Sequence, residues 1–318
     1  QERCDSDHGA ASAAGLDAWD QDRILGAAWM ATTARGAALA PRPSIRLVQA
    51  ILAACGGRMT YGGMYDVVVI GGGPAGLAGA LWLARYRRKV RVFDAEDPRN
   101  AATWAVHGYP GLPEISPREL RKTIKLQAVD AGAEYEPGVV QSVEGEEDDF
   151  RVHLEDGRVF GARRLLLATG LKDIVPEIPG FEDFYGTSIW HCPDCDGPSI
   201  IDCKVGVIGW GRAIAAYCMY MLTFTENLTV LTHGHPPDLS PEASAALARW
   251  YIPVREEVID RLEGEGGQLR RVVFHDGGTE DFDAIFFHIA SGPGSSFAAE
   301  LGCAADEDGI LEIDKEYQ

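Results

Sequence analysis

Long apolar runs are missing from this 318-residue chain. No stretch reaches the roughly 18 to 20 apolar residues that a membrane-spanning helix needs, and nothing like a basic-then-apolar leader opens the given sequence. Basic residues are scarce as well, 29 against 48 acidic ones, for a net charge of −19. So acidic a chain argues against nucleic acid and anionic membrane as partners and reads as soluble, and with no span or leader the chain is read as cytoplasmic. The seven cysteines are an odd number without framework spacing. This excludes a disulfide-stapled secreted scaffold and fits a reducing compartment, with one working pair and the rest buried as small hydrophobes.

The working pair lies in Trp190-His191-Cys192-Pro193-Asp194-Cys195-Asp196-Gly197. Two thiols separated by two residues can close into a small disulfide within one turn and exchange two electrons, and the adjacent Asp196 can deliver or remove the proton. Half a zinc site has the same spacing. Zinc would want a second pair, however, and Cys4, Cys55, Cys203, Cys218 and Cys303 stand singly in sequence, so the redox reading is preferred and no metal is expected. His233 and His235 share a loop without carboxylate or thiol company and are expected to face solvent.

Upstream, the β-branched run Tyr65-Asp66-Val67-Val68-Val69-Ile70 reads as a buried parallel strand. It leads into Gly71-Gly72-Gly73-Pro74-Ala75-Gly76, a helical pattern to about Tyr86, and a second strand from Lys89 that ends on Asp94. In this order Gly71 makes the turn, Gly73 lets a pyrophosphate approach the backbone, Gly76 allows close helix packing and Asp94 takes ribose hydroxyls. Arg99, Asn100 and His107 follow in a turn-rich loop. Arg99 could face a phosphate or be a surface arginine, and His107 could be a ligand-facing or a hydrogen-bonded loop residue.

Beyond a helix over about 117–131, short strands are expected near 139–143, 150–154 and 159–160. Arg164 to Gly170 should form a buried strand leaving through Ala168-Thr169-Gly170. The acidic run 144–149 reads as a solvated loop, and the Pro-rich stretch 175–180 as a domain boundary. A second strand, glycine turn and helix follow at 204–224. There Trp210 stands where the turn is normally small, Ile214 replaces the third small residue, and the strand over 228–231 exits without an arginine for a 2′-phosphate. Further on, a helix near 241–250, strands near 258–262, 271–275 and 284–289, and a turn at 291–296 are expected. Residues 1–63 are read as an extension, disordered or non-native, with a short helical stretch at 44–54 and a start at Met59 or Met64.

The glycine turn at 71–76, the Ala168-Thr169-Gly170 turn, the Cys192-to-Gly197 box and the second glycine turn at 209–211 together resemble the low-molecular-weight thioredoxin reductase family. The resemblance runs from about Met64 to the last residue. It implies an α/β fold of two Rossmann-like, three-layer nucleotide-binding domains, the second inserted in the first. Residues 64–174 would be the first part of the FAD domain, 175–291 an NAD(P)-like domain carrying the dithiol, and 292–318 a truncated return whose usual tail should follow Gln318.

Carried over by motif position, Gly71, Gly73, Pro74, Ala75, Gly76, Asp94, Arg99, Asn100, His107, Ala168, Thr169 and Gly170 would bind FAD. Gly209 and Gly211 would mark a degenerate NAD(P) turn. Cys195 would be the sulfur beside the flavin, Cys192 the sulfur exchanged with substrate, and Asp196 the acid and base. The implied activity is that of an FAD-dependent thiol-disulfide oxidoreductase, a homodimer acting on a thioredoxin-like protein or a small-molecule disulfide or dithiol. The pairing of Pro98-Arg99-Asn100 with His107-Gly108-Tyr109 resembles the branch that includes holomycin- and gliotoxin-type dithiol oxidases. This leaves a flavin dithiol oxidase, or a reductase fed by a ferredoxin-type donor, as the alternative to NAD(P)H, and a non-catalytic flavin or nucleotide sensor as a further one.

Overall fold

The valine run becomes β1 (Tyr65–Ile70), followed by α1 (Pro74–Arg85) and β2 (Val90–Asp94). The structure is a computed structural model that describes residues 64–306 and 311–312. The helical stretch expected at 44–54, the rest of the extension and residues 313–318 lie outside the described residues.

The chain continues through α2 (Pro117–Asp130), β3 (Glu134–Pro137), β4 (Val140–Glu146), β5 (Asp149–Leu154) and β6 (Val159–Leu167). The helix α2 starts where Ser116 accepts from the Glu119 amide at 3.2 Å while Glu119 pairs back with the serine hydroxyl, a capping box legible as Ser-x-x-Glu. These strands form one sheet in the order β3-β2-β1-β6-β5-β4, parallel from β3 to β6 and antiparallel beyond it. Alternation on β1 sends Val67 and Val69 to the side of α1 and α2, against Leu77, Ala80 and Ile124, and Val68 and Ile70 to the opposite side with Phe93 and Val152. Burial on both faces explains an unbroken apolar strand, each such side chain contributing about 1.5–3 kcal/mol.

Next come β7 (Leu171–Ile174), the single turn α3 (Phe181–Phe184), β8 (Ile189–Trp190), the single turn α4 (Pro193–Asp196), β9 (Val205–Gly209), α5 (Ile214–Met221), β10 (Leu228–Leu231), α6 (Pro241–Arg249) and β11 (Val254–Arg255). After them run β12 (Ile259–Glu265), β13 (Gln268–Phe274), β14 (Thr279–Asp281), β15 (Ala284–His288), β16 (Ala290–Pro293) and α7 (Phe297–Glu300). A second parallel sheet has the order β11-β10-β9-β15-β8, with α5 and α6 packed on one face and the antiparallel β12-β13-β14 sheet on the other. Helices, parallel sheet and meander make the three layers of a second Rossmann-like domain. The chain leaves the first sheet through β7 and returns through β16, and these two strands pair antiparallel as a ribbon. After the ribbon, Phe297 of α7 packs into the first domain's core and the Glu300 carboxylate accepts from the Val143 amide at 3.3 Å.

Several local expectations change. The pieces at 159–160 and 164–167 are one continuous strand, β6, and Arg163 and Arg164 on it are exposed. The acidic run 144–149 is no loop but the tip of the β4–β5 hairpin, where Asp148 pairs with Arg163 and Arg164 from the neighbouring strand. The turn expected at 291–296 begins as β16, so the return to the first domain crosses residue 291 inside a strand. The second helix stops at Met221, short of Phe224. His233 is half-buried, its Nδ1 accepting from the Ile259 amide at 3.0 Å. Cys303 is exposed, whereas Cys218 lies in the core as expected.

Candidate functional site

A Cβ on Gly71 would stand 2.2 Å from the Ala168 carbonyl oxygen, and one on Gly76 would stand 2.0 Å from the Gly71 oxygen. The first turn therefore packs onto the exit of β6, with Gly71 at φ +106°, a conformation that suits glycine. Thr169 Oγ1 lies 3.0 Å from Ser295 Oγ, which ties that exit to the returning segment. Gly73 has open space where a side chain would project, and Pro74 at N1 follows it. No side chain caps α1, so its first amides are left for an anion. Asp94 is buried at the end of β2 and packs against Gly72; its Oδ2 accepts from Tyr135 Oη at 2.7 Å and lies 3.3 Å from Arg121. Glycine backbone, free helix amides and an anchored acid at the next strand end fit the pyrophosphate and ribose of a dinucleotide.

The dithiol turn occupies a different position. Edge strand β8 runs parallel to β15 and ends at Trp190, with His191 between it and Cys192, so the turn lies at the carboxyl ends of the second parallel sheet, where α/β folds place their ligands. Cys192 and Cys195 are joined in a disulfide across α4, with Cα atoms 5.3 Å apart. Both line a cavity of about 100 Å³. Its other wall is the loop carrying Arg99, Asn100 and His107, so the structure brings these three to the sulfurs rather than to the glycine turn.

Asp196 is buried, 6% exposed, at the end of α4. Burial pushes its carboxyl up to about 6, against the opposing pull of His107. His107 Nδ1 lies 3.4 Å from Asp196 Oδ1 without a well-aligned hydrogen bond. The indole Nε1 of Trp190, on the cavity wall, is likewise buried without a partner among the described residues, an unused donor at the site.

Residue types alone assigned no role to several groups here. Arg99 meets Asp173 of β7 through two hydrogen bonds of 2.7 and 2.6 Å, so its charge is matched by a carboxylate. His191 places Nε2 3.6 Å from Asp173 and Nδ1 3.3 Å from Tyr185 Oη. Burial pushes the His191 imidazole below its usual value, Asp173 opposing and Arg99 reinforcing the shift. Beneath the turn, Tyr217 donates to the His191 carbonyl at 3.2 Å and Tyr220 donates to Asp194. The place of His191 directly before Cys192 was the available signal for it; Asp173 and Tyr185 carried none.

Gly209 and Gly211 lie apart from both groups, at the end of β9. A Cβ on Gly209 would stand 2.5 Å from the His288 oxygen, while Gly211 at φ +81° has open space. Trp210 stacks on His235 with ring centroids 3.7 Å apart, and Ile214 is wholly buried in the core. No cluster of three or more His, Cys, Asp or Glu side chains that could hold a metal occurs among the described residues, and no described helix is long and apolar enough to cross a membrane.

Residues 65–318 match the family described as pyridine nucleotide-disulphide oxidoreductase. The thioredoxin reductase tcpT of Claviceps purpurea (strain 20.1) is 36% identical over 273 residues, which is 82% of this chain and 84% of the relative. Among solved structures, HlmI is similar with a TM-score of 0.74 and 33% identity, covering 80% of each chain. An oxidoreductase from Agrobacterium tumefaciens is similar with a TM-score of 0.70 and 28% identity, covering 80% of this chain and 86% of that one.

Proposed function

Because the chain belongs to the pyridine nucleotide-disulphide oxidoreductase family, as a thioredoxin reductase-like, FAD-dependent enzyme, we propose that Cys192 and Cys195 are its reactive sulfurs, with Asp196 their acid and base. The observation that carries the assignment is the Cys192–Cys195 bridge opening on a cavity shared with Asp196. When bound, FAD supplies the two-electron partner of this sulfur pair. Gly71, Gly73, Pro74, Ala75, Gly76, Asp94, Ala168, Thr169 and Gly170 would hold its dinucleotide part, and Arg99, Asn100 and His107, which line the cavity at the sulfurs, would contribute to its binding.

In the reducing direction the Cys192 thiolate attacks an outside disulfide, forming a mixed disulfide and releasing one substrate thiolate. Cys195 then attacks Cys192, which frees the second substrate thiol and closes the bridge. Asp196 moves the protons that these steps consume and release. In the oxidising direction a substrate dithiol opens the bridge by the reverse sequence. The substrate is a thioredoxin-like protein or a small disulfide or dithiol, and the enzyme works as a cytoplasmic homodimer, with domains divided near 174 and 291.

A second reading, a flavin dithiol oxidase without a nicotinamide donor, is favoured by one feature. Trp210 and His235 stack beside the Gly209–Gly211 turn, and Ile214 fills the place of a small residue, which leaves little room for a second dinucleotide. Anaerobic titration of the FAD-loaded protein with NADPH, NADH and a small dithiol, followed at the flavin absorbance band, tests both readings. Bleaching by a nicotinamide supports the reductase, and bleaching by the dithiol alone supports the oxidase. Bleaching by none of the three contradicts both.

A further inference from the structure

Two tyrosines one helical turn apart, Tyr217 and Tyr220, rise from α5 to the segment that carries the sulfurs. Tyr217 is half-buried: its ring stacks on His288 with centroids 4.6 Å apart and an interplanar angle of 18°, and its hydroxyl donates to the main-chain carbonyl of His191 at 3.2 Å. Tyr220 is 42% exposed, and its hydroxyl donates to Oδ1 of Asp194, between the two cysteines. The first contact fixes the backbone where the turn begins; the second fixes its acidic side chain.

We infer that Tyr217 and Tyr220 are positioning residues of the disulfide exchange, Tyr217 holding the turn in register for attack and Tyr220 keeping the Asp194 carboxylate off the sulfurs. The inference rests on the reading that Cys192 and Cys195 are the redox pair.

The physical case is electrostatic. Exchange requires a thiolate, and a carboxylate two residues from Cys192 opposes a second negative charge nearby. The charged and titratable groups around the sulfurs are Asp194 and Asp196 on the turn, His191 before it, His107 and Arg99 on the facing loop, Tyr185 on the cavity wall, Asp173 against His191 and Arg99, and the two tyrosines beneath. Asp196 is buried against His107, and Arg99 is matched by Asp173. Asp194, by contrast, is exposed on the turn, and the Tyr220 hydroxyl draws its charge toward α5. A tyrosine hydroxyl suits this task because it donates to the carboxylate without placing a full positive charge beside the sulfurs. Spacing of three residues puts both rings on one helix face, so a single rigid element governs both ends of the turn.

The test uses FAD-loaded enzyme reduced with dithiothreitol under anaerobic conditions, desalted, and alkylated with iodoacetamide at a series of pH values, with label at Cys192 distinguished from label at Cys195 by fragment-ion masses. Tyr220→Phe is expected to raise the apparent pKa of Cys192 alkylation by about half a pH unit. In an Asp194→Asn background the same change is expected to do nothing. Tyr217→Phe is expected to slow exchange with a small disulfide about fivefold, the loss of one hydrogen bond, without moving that pKa.

No upward shift in Tyr220→Phe, or a shift that persists beside Asp194→Asn, would overturn the role of Tyr220. An unchanged exchange rate in Tyr217→Phe would overturn the other half. Wild-type Cys192 that alkylates equally before and after dithiothreitol overturns the redox reading itself, and the inference with it.

Discussion

His107 Nδ1 and Asp196 Oδ1 lie 3.4 Å apart across the cavity at the disulfide, one from the loop after β2 and the other from the end of the dithiol turn. The two domains thus meet at the carboxyl that we propose moves the proton. Burial holds the Asp196 carboxyl at about 6, which allows it to be protonated or ionised near neutrality, as an acid-base group requires. If the carboxylate is the form that accepts the attacking thiol's proton, exchange should rise with pH through about 6. Asp196→Asn should abolish that limb and slow turnover by about 10²–10⁴-fold, as a pH–rate profile will show.

The same raised pKa has a consequence for stability. A carboxyl with a folded-state value of about 6, against 3.8 unfolded, binds its proton more tightly in the native state. Its contribution is fully present below 3.8 and is lost as pH rises through 6. Chemical denaturation at pH 5 and pH 7.5 should show wild type losing about 1.4 kcal/mol relative to Asp196→Asn over that interval.

The glycine turn makes a stricter demand. Gly76→Ala would put a methyl 2.0 Å from the Gly71 carbonyl oxygen, a backbone atom that cannot swing aside. We expect a loss of about 1–3 kcal/mol in stability together with loss of bound flavin, read by thermal melting and by the absorbance of the purified protein.

At the end of β2, Tyr135 and Arg121 hold one oxygen of Asp94. Asp94→Ala should weaken FAD binding by about 1.5–3 kcal/mol, the value of hydrogen bonds to a charged group. Tyr135→Phe should weaken it less, because the carboxylate remains but loses its orientation. Fluorescence titration of the apoprotein with FAD measures both.

Asp173 opposes the burial that depresses His191. Asp173→Asn should therefore lower the His191 pKa further, visible as a lower midpoint in the pH titration of its imidazole proton resonances by NMR.

Much of this site could be read from the sequence wherever the chemistry was local. The path from Val67 to Asp94 was legible because turn, helix and strand each need particular residues at fixed spacing. The Cys192–Cys195 pair was legible because two thiols three positions apart can join within one turn. Asp173 and Tyr185 were not, since they reach His191 only after the β7–β16 ribbon and α3 are in place, and neither sits in a motif. The ribbon itself was hidden by its length: four residues a side, with Leu171, Lys172 and Ile174 exposed and Gly292 and Pro293 reading as a turn. The acidic run 144–149 misled because its charge is balanced from outside the segment, by Arg163 and Arg164 of β6.

The most direct measurement is stopped-flow reduction of the FAD-loaded protein by a small dithiol under anaerobic conditions, comparing wild type with Cys195→Ser. The account predicts rapid bleaching of the flavin band in wild type and none in Cys195→Ser. Bleaching at equal rates in both would contradict it, because the flavin would then be exchanging electrons without the sulfur pair.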